Sequence, residues 1–445
     1  MSRLVPPSDS TPSTRMPLPE GTLPVAVGLM VAGLSSFAFF AVGEAALGGE
    51  EAFKPVVSMW FATFALAPGC FLPLEQELGR ALAARRALNQ GGRPVVMRVL
   101  TLGSILAAII TLLLVVASPW LAGDYFGGNW VMVLALMIAI TAYAPTHLAR
   151  GICSGSGRFQ SYAIVLGADG LVRVLLCVAL AVVGVSSVGA FGLAVAVAPL
   201  AGVAIVAWRR DLRTDPGPPA SWQEVTPNLG WLLLGSLMAA SLVNAGPIAT
   251  NLLAAENEEA FVTRFGQGVI LARIPLFLFQ AVQAALLPRL ARQAAAGEMA
   301  EFRSGFKRLM KLVVAVGVAG TVGAWFLGPL AADLLFDADL TSRTLAVLAA
   351  GSAFYMLGLA IAQAVIALHG HAQVALGWTV GMVTFAVSTW LIEGEVFRRV
   401  ELGLLIGSAS AMLVFALALR NRLRAGAVPN EASVLEAMTD MPLEG

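Results

Sequence analysis

Residues Phe261–Pro288 read FVTRFGQGVILARIPLFLFQAVQAALLP, an almost wholly apolar stretch of helix length with Arg273 close to its middle. At a rise of about 1.5 Å per residue, Arg273 lies roughly 18 Å from one end and about 22 Å from the other, too far to extend to a membrane surface. Its side chain must therefore face protein or water. Pro275 frees a backbone carbonyl beside it, and a freed carbonyl at this depth needs the same surroundings.

This stretch also predicts a polar seam along one side of its helix. Gln280 follows Arg273 by seven residues, and Gln283 flanks the same side a turn later. In the preceding apolar run, Asn244 lies three residues before Pro247, where a helix either kinks or unwinds toward a cavity. We predict that Arg273, Gln280, Gln283 and Asn244 line a substrate cavity.

The composition places the whole chain in a membrane. Hydrophobic residues make up 58% of the 445 positions and charged residues 12%, which excludes a soluble globular protein. Lysines number only three of the 28 basic residues, which is typical of a GC-rich bacterial genome and favours a bacterial cytoplasmic membrane. The three cysteines lack disulfide or zinc spacing, and no P-loop for ATP is present. We therefore expect no cofactor, no metal, no nucleic acid and no enzymatic activity.

Twelve apolar runs predict an all-α polytopic protein. They fall near 22–43, 53–74, 99–121, 129–149, 161–184, 187–208, 229–253, 261–288, 310–332, 344–367, 372–392 and 401–420. We divide the chain into a disordered segment 1–20, an N-lobe 21–210, a cytoplasmic linker 211–226, a C-lobe 227–424 and a disordered acidic tail 425–445. An even number of spans in each lobe makes the two lobes parallel, as a duplication would, with a cavity between them.

The distribution of basic residues sets the orientation. With both termini in the cytoplasm, the cytoplasmic segments hold 21 Lys and Arg residues and the external segments five, while Arg173 and Arg273 lie inside spans. Cytoplasmic loops carry the excess of Lys and Arg in membrane proteins. A miscounted span would have scrambled this alternation, so the count favours twelve spans.

Two further groups of charged residues are candidates for function. Asp169 and Arg173 are four apart on the fifth span, where they form either a self-neutralised structural pair or part of the cavity. Glu75, Glu77 and Arg80 follow the second span and form either an inner gate or a solvated helix face.

One acidic motif raises an alternative activity. Asp337-Ala338-Asp339 resembles the acidic pair with which membrane glycosyltransferases hold a metal. The external loop that carries it is only about ten residues long, and no folded domain follows it. A solvated acidic loop is the better interpretation.

Several short motifs resemble one family. They are ARIPLFLFQAVQ at 272–283, LPRL at 287–290, NAGP at 244–247 and the glycine-containing segment 150–159. With two six-helix lobes and a short connector, they are similar to the multidrug/oligosaccharidyl-lipid/polysaccharide exporter (MOP) superfamily and specifically to its polysaccharide-flippase (Wzx-like) branch.

The resemblance implies alternating access that carries a polyprenyl-diphosphate-linked oligosaccharide across the membrane. It implies lipid-linked oligosaccharide, membrane lipids and the polysaccharide assembly machinery as partners. Lipid II flippases of the superfamily typically have fourteen spans, so twelve argues against lipid II. The alternatives are a cation-coupled drug or metabolite antiporter of the same fold, a membrane glycosyltransferase or polymerase, and a non-transporting scaffold.

The physical argument agrees with the resemblance. A lipid-linked sugar needs a polar cavity that opens sideways to lipid, and a guanidinium can donate two charge-assisted hydrogen bonds to a phosphate. Arg173 and Arg273 lie at mid-membrane depth in different lobes. We expect one central cavity to enclose both.

Overall fold

The computed structural model describes residues 22–255, 258–276, 279, 298–368 and 370–425. Within these ranges the chain forms twelve α-helices of at least 14 residues, of which eleven are long and apolar enough to cross a membrane. The exception is the eighth. The helices are α1 (Thr22–Leu47), α2 (Glu50–Ala87), α3 (Arg93–Trp120), α4 (Trp130–Gly155), α5 (Phe159–Val182), α6 (Val188–Trp208), α7 (Leu229–Leu253), α8 (Glu259–Ala272), α9 (Met299–Phe336), α10 (Ser342–Ala367), α11 (His371–Leu391) and α12 (Val396–Arg424). The predicted all-α, twelve-helix class is confirmed.

The packing of the helices repeats with an offset of six. In the first half, α1 packs on α5, α2 and α3 pack on α4, and α4 and α5 pack on α6. In the second half, α7 packs on α11, α8 and α9 pack on α10, and α10 and α11 pack on α12. This is the arrangement expected of a duplicated six-helix unit. We call α1–α6 the N-half and α7–α12 the C-half.

The two halves meet chiefly through α2, which packs on α7 and α8. At Gly69 of α2, an added Cβ would lie 2.9 Å from the Cα of Leu237, so only a glycine permits this approach of α2 to α7. A hydrogen bond joins the same two helices beside this contact: the Ser236 hydroxyl of α7 donates to the Pro68 carbonyl of α2 at 3.2 Å.

Helix α2 extends thirteen residues beyond the predicted span 53–74, through Pro73 to Ala87. The polar sequence after Pro73 stays helical because its apolar side chains pack on α4. Leu78 and Leu82 lie over Gly151 and Gly155, where an added Cβ would approach them to 3.1 and 2.6 Å. Tertiary packing thus overrides the helix-ending signal of proline.

Helix α8 ends inside the predicted span 261–288, and residues 274–276 are helical again after a turn at Arg273. It ends at Ala272, and the Arg273 amide donates to the Ile270 carbonyl at 3.2 Å in a tightened last turn. Pro275 cannot donate the next helical hydrogen bond, which explains the break. Gln280 and Gln283, like residues 1–20 and 426–445, lie outside the described residues.

Candidate functional site

Arg273 bonds to a backbone carbonyl that a proline has freed. Pro247 has no N–H, so the carbonyl of Val243, four residues earlier on α7, has no helical donor. Nη2 of Arg273 donates to that carbonyl at 2.5 Å and to Oδ1 of Asn244 at 2.9 Å. Helix α7 continues through Pro247 to Leu253. The structure therefore favours a continuous helix here over an unwound turn, and it brings the predicted residues Arg273 and Asn244 together.

The rest of the Arg273 guanidinium has no hydrogen-bond partner. Nε and Nη1 make no hydrogen bond within the described part of the chain, although the side chain is only 1% exposed. Its Cζ lies 5.4 Å from the centre of the Phe61 ring on α2, a cation–π distance. Among the described residues no carboxylate forms an ion pair with it. Arg273 is a buried cation whose charge the described residues leave uncompensated.

A small cavity adjoins Arg273. Its volume is about 30 Å³, and its walls include Ser352 and Tyr355 of α10 and Ser408 of α12. A space of this size holds roughly two water molecules. A diphosphate cannot enter in this conformation, so binding a head group here requires the helices around the cavity to separate.

Asp169 and Arg173 form a closed polar cluster inside the N-half. Nη2 of Arg173 donates to Oδ1 of Asp169 at 2.6 Å, and the Tyr143 hydroxyl donates to Oδ2 at 2.8 Å. The Arg173 guanidinium also lies 4.6 Å from the centre of the Trp60 ring. The pair is self-neutralised, as one of its two interpretations requires.

The two mid-membrane arginines pack on adjacent aromatic side chains of α2. Arg173 packs on Trp60 and Arg273 on Phe61, adjacent residues of α2 whose side chains project about 100° apart. The cavity beside Arg273 is lined without Arg173. Enclosure of both arginines by one central cavity therefore stays a prediction.

Glu75 belongs to a buried cluster that the sequence analysis missed. Its carboxylate accepts from the Tyr162 hydroxyl at 3.0 Å and from Nε of Arg150 at 3.2 Å, and it lies 2.8 Å from Nδ1 of His147. Glu75 is 6% exposed and Arg150 is fully buried. The solvated-face interpretation of Glu75 is wrong, since the cluster ties α2 to α4 and α5. The spacing of His147 and Arg150, three residues apart at a span end, was the available signal.

Arg80 contacts the connector 211–226 between the halves, and Glu77 pairs with Arg80 on α2. Nη2 of Arg80 donates to Glu77 at 2.6 Å and to the Glu224 carbonyl at 2.7 Å. Arg85 donates to both carboxylate oxygens of Glu224, at 2.5 and 2.9 Å, and these bonds hold the Glu224 pKa below its usual range. The three residues of the predicted gate therefore divide: Glu75 lies in a buried cluster, whereas Arg80, paired with Glu77, attaches the connector to α2.

Polar contacts also join the halves where α2 and α8 begin, the end that the basic-residue count places outside. Nε of Arg264 lies 2.6 Å from Oε2 of Glu50, and the Thr263 hydroxyl donates to the Glu50 carbonyl at 2.7 Å. Gln267 hydrogen-bonds to Glu44 of α1. These contacts close this end of the interface between the halves.

No protein-family model matches the chain. It is 26% identical over 378 residues to uncharacterized proteins of Mycobacterium tuberculosis and Mycobacterium bovis, which covers 79% of this chain and 81% of each relative. A crystal structure of MATE in complex with MaD5 matches with a TM-score of 0.66 at 18% identity, covering 91% of this chain and 95% of that one. An inward-facing multidrug resistance MATE family transporter of the MOP superfamily matches with a TM-score of 0.64 at 16% identity, covering 93% and 97%. The chain is a multi-pass membrane protein with the MATE fold.

Proposed function

We propose that this protein is a flippase that moves a polyprenyl-diphosphate-linked oligosaccharide from the inner to the outer leaflet of a bacterial cytoplasmic membrane, for cell-surface polysaccharide synthesis. The observation that carries the proposal is Arg273, a buried guanidinium with two donor nitrogens that no described residue uses. An uncompensated buried charge is costly, and a protein retains one where a ligand of opposite charge completes it.

The chemistry of Arg273 favours a phosphate ligand. Nη2 is held by Val243 and Asn244, while Nε and Nη1 remain for an anion. A guanidinium donating two parallel hydrogen bonds matches the geometry of a phosphate or carboxylate. Its depth along an apolar stretch favours an anion that must pass through the hydrocarbon layer, and a lipid-linked diphosphate is such an anion.

Passage of the head group requires the two halves to separate. The Arg273 cavity of about 30 Å³ is far too small for an oligosaccharide head group. The contacts of Arg264 and Thr263 with Glu50 close the predicted outer end. We infer an alternating-access cycle in which these contacts break as the outward-open state forms.

A second candidate is a cation-coupled antiporter, which the likeness to MATE transporter structures favours. Such an antiporter needs an ionised carboxylate within the spans that is available to a cation. Asp169 is the predicted carboxylate of this kind, and both of its oxygens are already bonded to Arg173 and Tyr143. This pairing favours the flippase. A lipid II flippase would use the same phosphate chemistry, and the test below includes it.

The test is flipping of a labelled polyprenyl-diphosphate disaccharide in vesicles that contain the purified full chain. We expect Arg273→Ala to lower the rate about 100-fold, since two hydrogen bonds to a charged group are lost, and Arg273→Lys to lower it about tenfold. Arg209→Ala, at a half-exposed arginine, is the matched control and should behave as wild type. Equal rates in wild type and Arg273→Ala would remove Arg273 from the mechanism. Lipid II in a parallel arm, and a dye with a proton or sodium gradient in another, identify the two alternatives.

A further inference from the structure

An apolar groove lies beside the point where α8 ends. Its volume is about 410 Å³, which falls in the size range of ligand pockets. Its walls are formed by Leu271, Ala272, Ile274 and Pro275 together with α9 and α10, and every described residue that lines it is apolar or glycine. We call this space the α8–α9 groove.

Two close contacts bound the groove along α9. At Gly320 an added Cβ would lie 2.3 Å from Cγ of Pro275, and at Gly328 it would lie 2.8 Å from Cδ1 of Leu345. At Gly323, between them, an added Cβ would meet nothing within 4 Å. Gly320 and Gly328 are eight positions apart, which is about 12 Å of helix, so the groove is open over about that length.

The groove opens on the outer surface of the helices. Leu327 on α9 is 64% exposed and Ile274 after α8 is 44% exposed, and both line it. In a span this surface faces hydrocarbon. Water is a poor occupant because the lining offers it no polar partner. An extended polypeptide segment is excluded as well, since its backbone N–H and C=O groups would be unsatisfied there. A hydrocarbon chain has no polar group that needs a partner, and it can therefore occupy the groove.

The groove and the Arg273 cavity are neighbours. Ala272 lines both of them, and Leu348 of the cavity is flanked on α10 by Leu345 and Ala349 of the groove. One small residue therefore stands between an uncompensated cation and a large apolar space. This combination matches an amphiphile in which an anionic phosphate is bonded directly to a hydrocarbon chain.

We propose that the α8–α9 groove binds the phosphate-proximal part of the hydrocarbon tail of the lipid whose head group pairs with Arg273. The inference rests on the proposed function and adds a tail site to it. Head and tail then bind to the same half of the protein, on two faces of the α8 break. The helix break is the point at which the tail passes from the polar cavity to the groove.

The test compares inorganic diphosphate with farnesyl diphosphate as ligands of the purified full chain in nanodiscs. We expect wild type to bind farnesyl diphosphate more tightly, and Gly323→Leu, which fills the groove, to lose about tenfold of that affinity while binding inorganic diphosphate unchanged. Gly230→Leu is the matched control, because an added Cβ at that exposed glycine also meets nothing within 4 Å. Gly323→Ala should give an intermediate loss, and a melting curve checks folding.

Three outcomes overturn the inference, and one of them also reaches the proposed function. Unchanged farnesyl diphosphate affinity in Gly323→Leu rejects the groove while leaving the role of Arg273 intact. Displacement of farnesyl diphosphate by an equal concentration of phosphatidylglycerol shows a general lipid contact instead of a tail site. The third outcome is equal binding of inorganic diphosphate by wild type and Arg273→Ala, with the groove effect still present. It would reject the head-group role of Arg273 and with it the coupling of the two sites.

Discussion

The N-half and the C-half share a packing pattern but treat buried charge in opposite ways. Four arginines are buried among the described residues. In the N-half, Arg85, Arg150 and Arg173 each pair with a carboxylate. In the C-half, Arg273 has a backbone carbonyl, an amide oxygen and an aromatic ring, but no described acid.

This difference indicates a division of labour between the halves. A compensated pair holds helices together and has no charge left for a ligand, whereas an uncompensated cation is costly until an anion arrives. The C-half does contain a compensated pair, Arg343 and Glu401, which lie near the starts of α10 and α12. Arg343, however, is half exposed. Under the proposed function, the N-half clusters act as scaffold and Arg273 receives the anionic head group.

The largest expected effect comes from breaking a compensated cluster. Glu75→Ala removes the carboxylate that pairs with the buried Arg150 and should lower the free energy of unfolding by about 3–5 kcal/mol. Thermal or denaturant unfolding of the purified protein measures the loss. A double variant, Glu75→Ala with Arg150→Met, removes both charges and should recover most of it. No loss in Glu75→Ala would show that the cluster is not a structural support.

A smaller effect is expected for the mid-membrane pair of the N-half. Asp169→Asn removes the carboxylate of Arg173 but keeps the shape of the side chain, and should cost about 1.5–3 kcal/mol of stability. The folded fraction of the Asp169→Asn protein should still flip the labelled lipid at a rate close to wild type. Unchanged stability together with lost flipping would place Asp169 in the transport path and make the halves equivalent.

The smallest effect concerns the connector, which Arg80 and Arg85 attach to the N-half. Bonding to Arg85 lowers the Glu224 pKa in the folded protein, so this attachment is fully present above the usual glutamate pKa and is lost as pH falls through the lower folded value. The contribution is below about 1 kcal/mol because the pair is partly exposed. The protection factors of residues 211–226 against hydrogen exchange, which are corrected for the intrinsic pH dependence of exchange, should fall at acidic pH, and Glu224→Gln should abolish that fall. A pH dependence that persists in Glu224→Gln would assign it to another group.

The sequence predicted the helices well and the polar contacts poorly, for a physical reason. Apolar length and the asymmetry of basic residues are local signals, and they predicted twelve helices. The eighth of these is the helix that breaks beside Pro275. The cluster of Glu75 depends on His147 and Tyr162, more than 70 residues away on α4 and α5. No local pattern shows that α2 continues past Pro73 and brings these residues together. Arg273 was identifiable because a lone charge in an apolar run is itself a local signal.

The central claim is that the charge of Arg273 is left uncompensated for an anion. It is tested most directly by supplying the missing acid without touching the arginine. Ser352 lines the same cavity, so Ser352→Asp should neutralise Arg273 and Ser352→Asn should add similar bulk without charge. Binding of inorganic diphosphate to the two purified variants is the measurement. We expect Ser352→Asp to bind at least about tenfold more weakly than Ser352→Asn, which should resemble wild type. Equal binding by the two variants would contradict the claim.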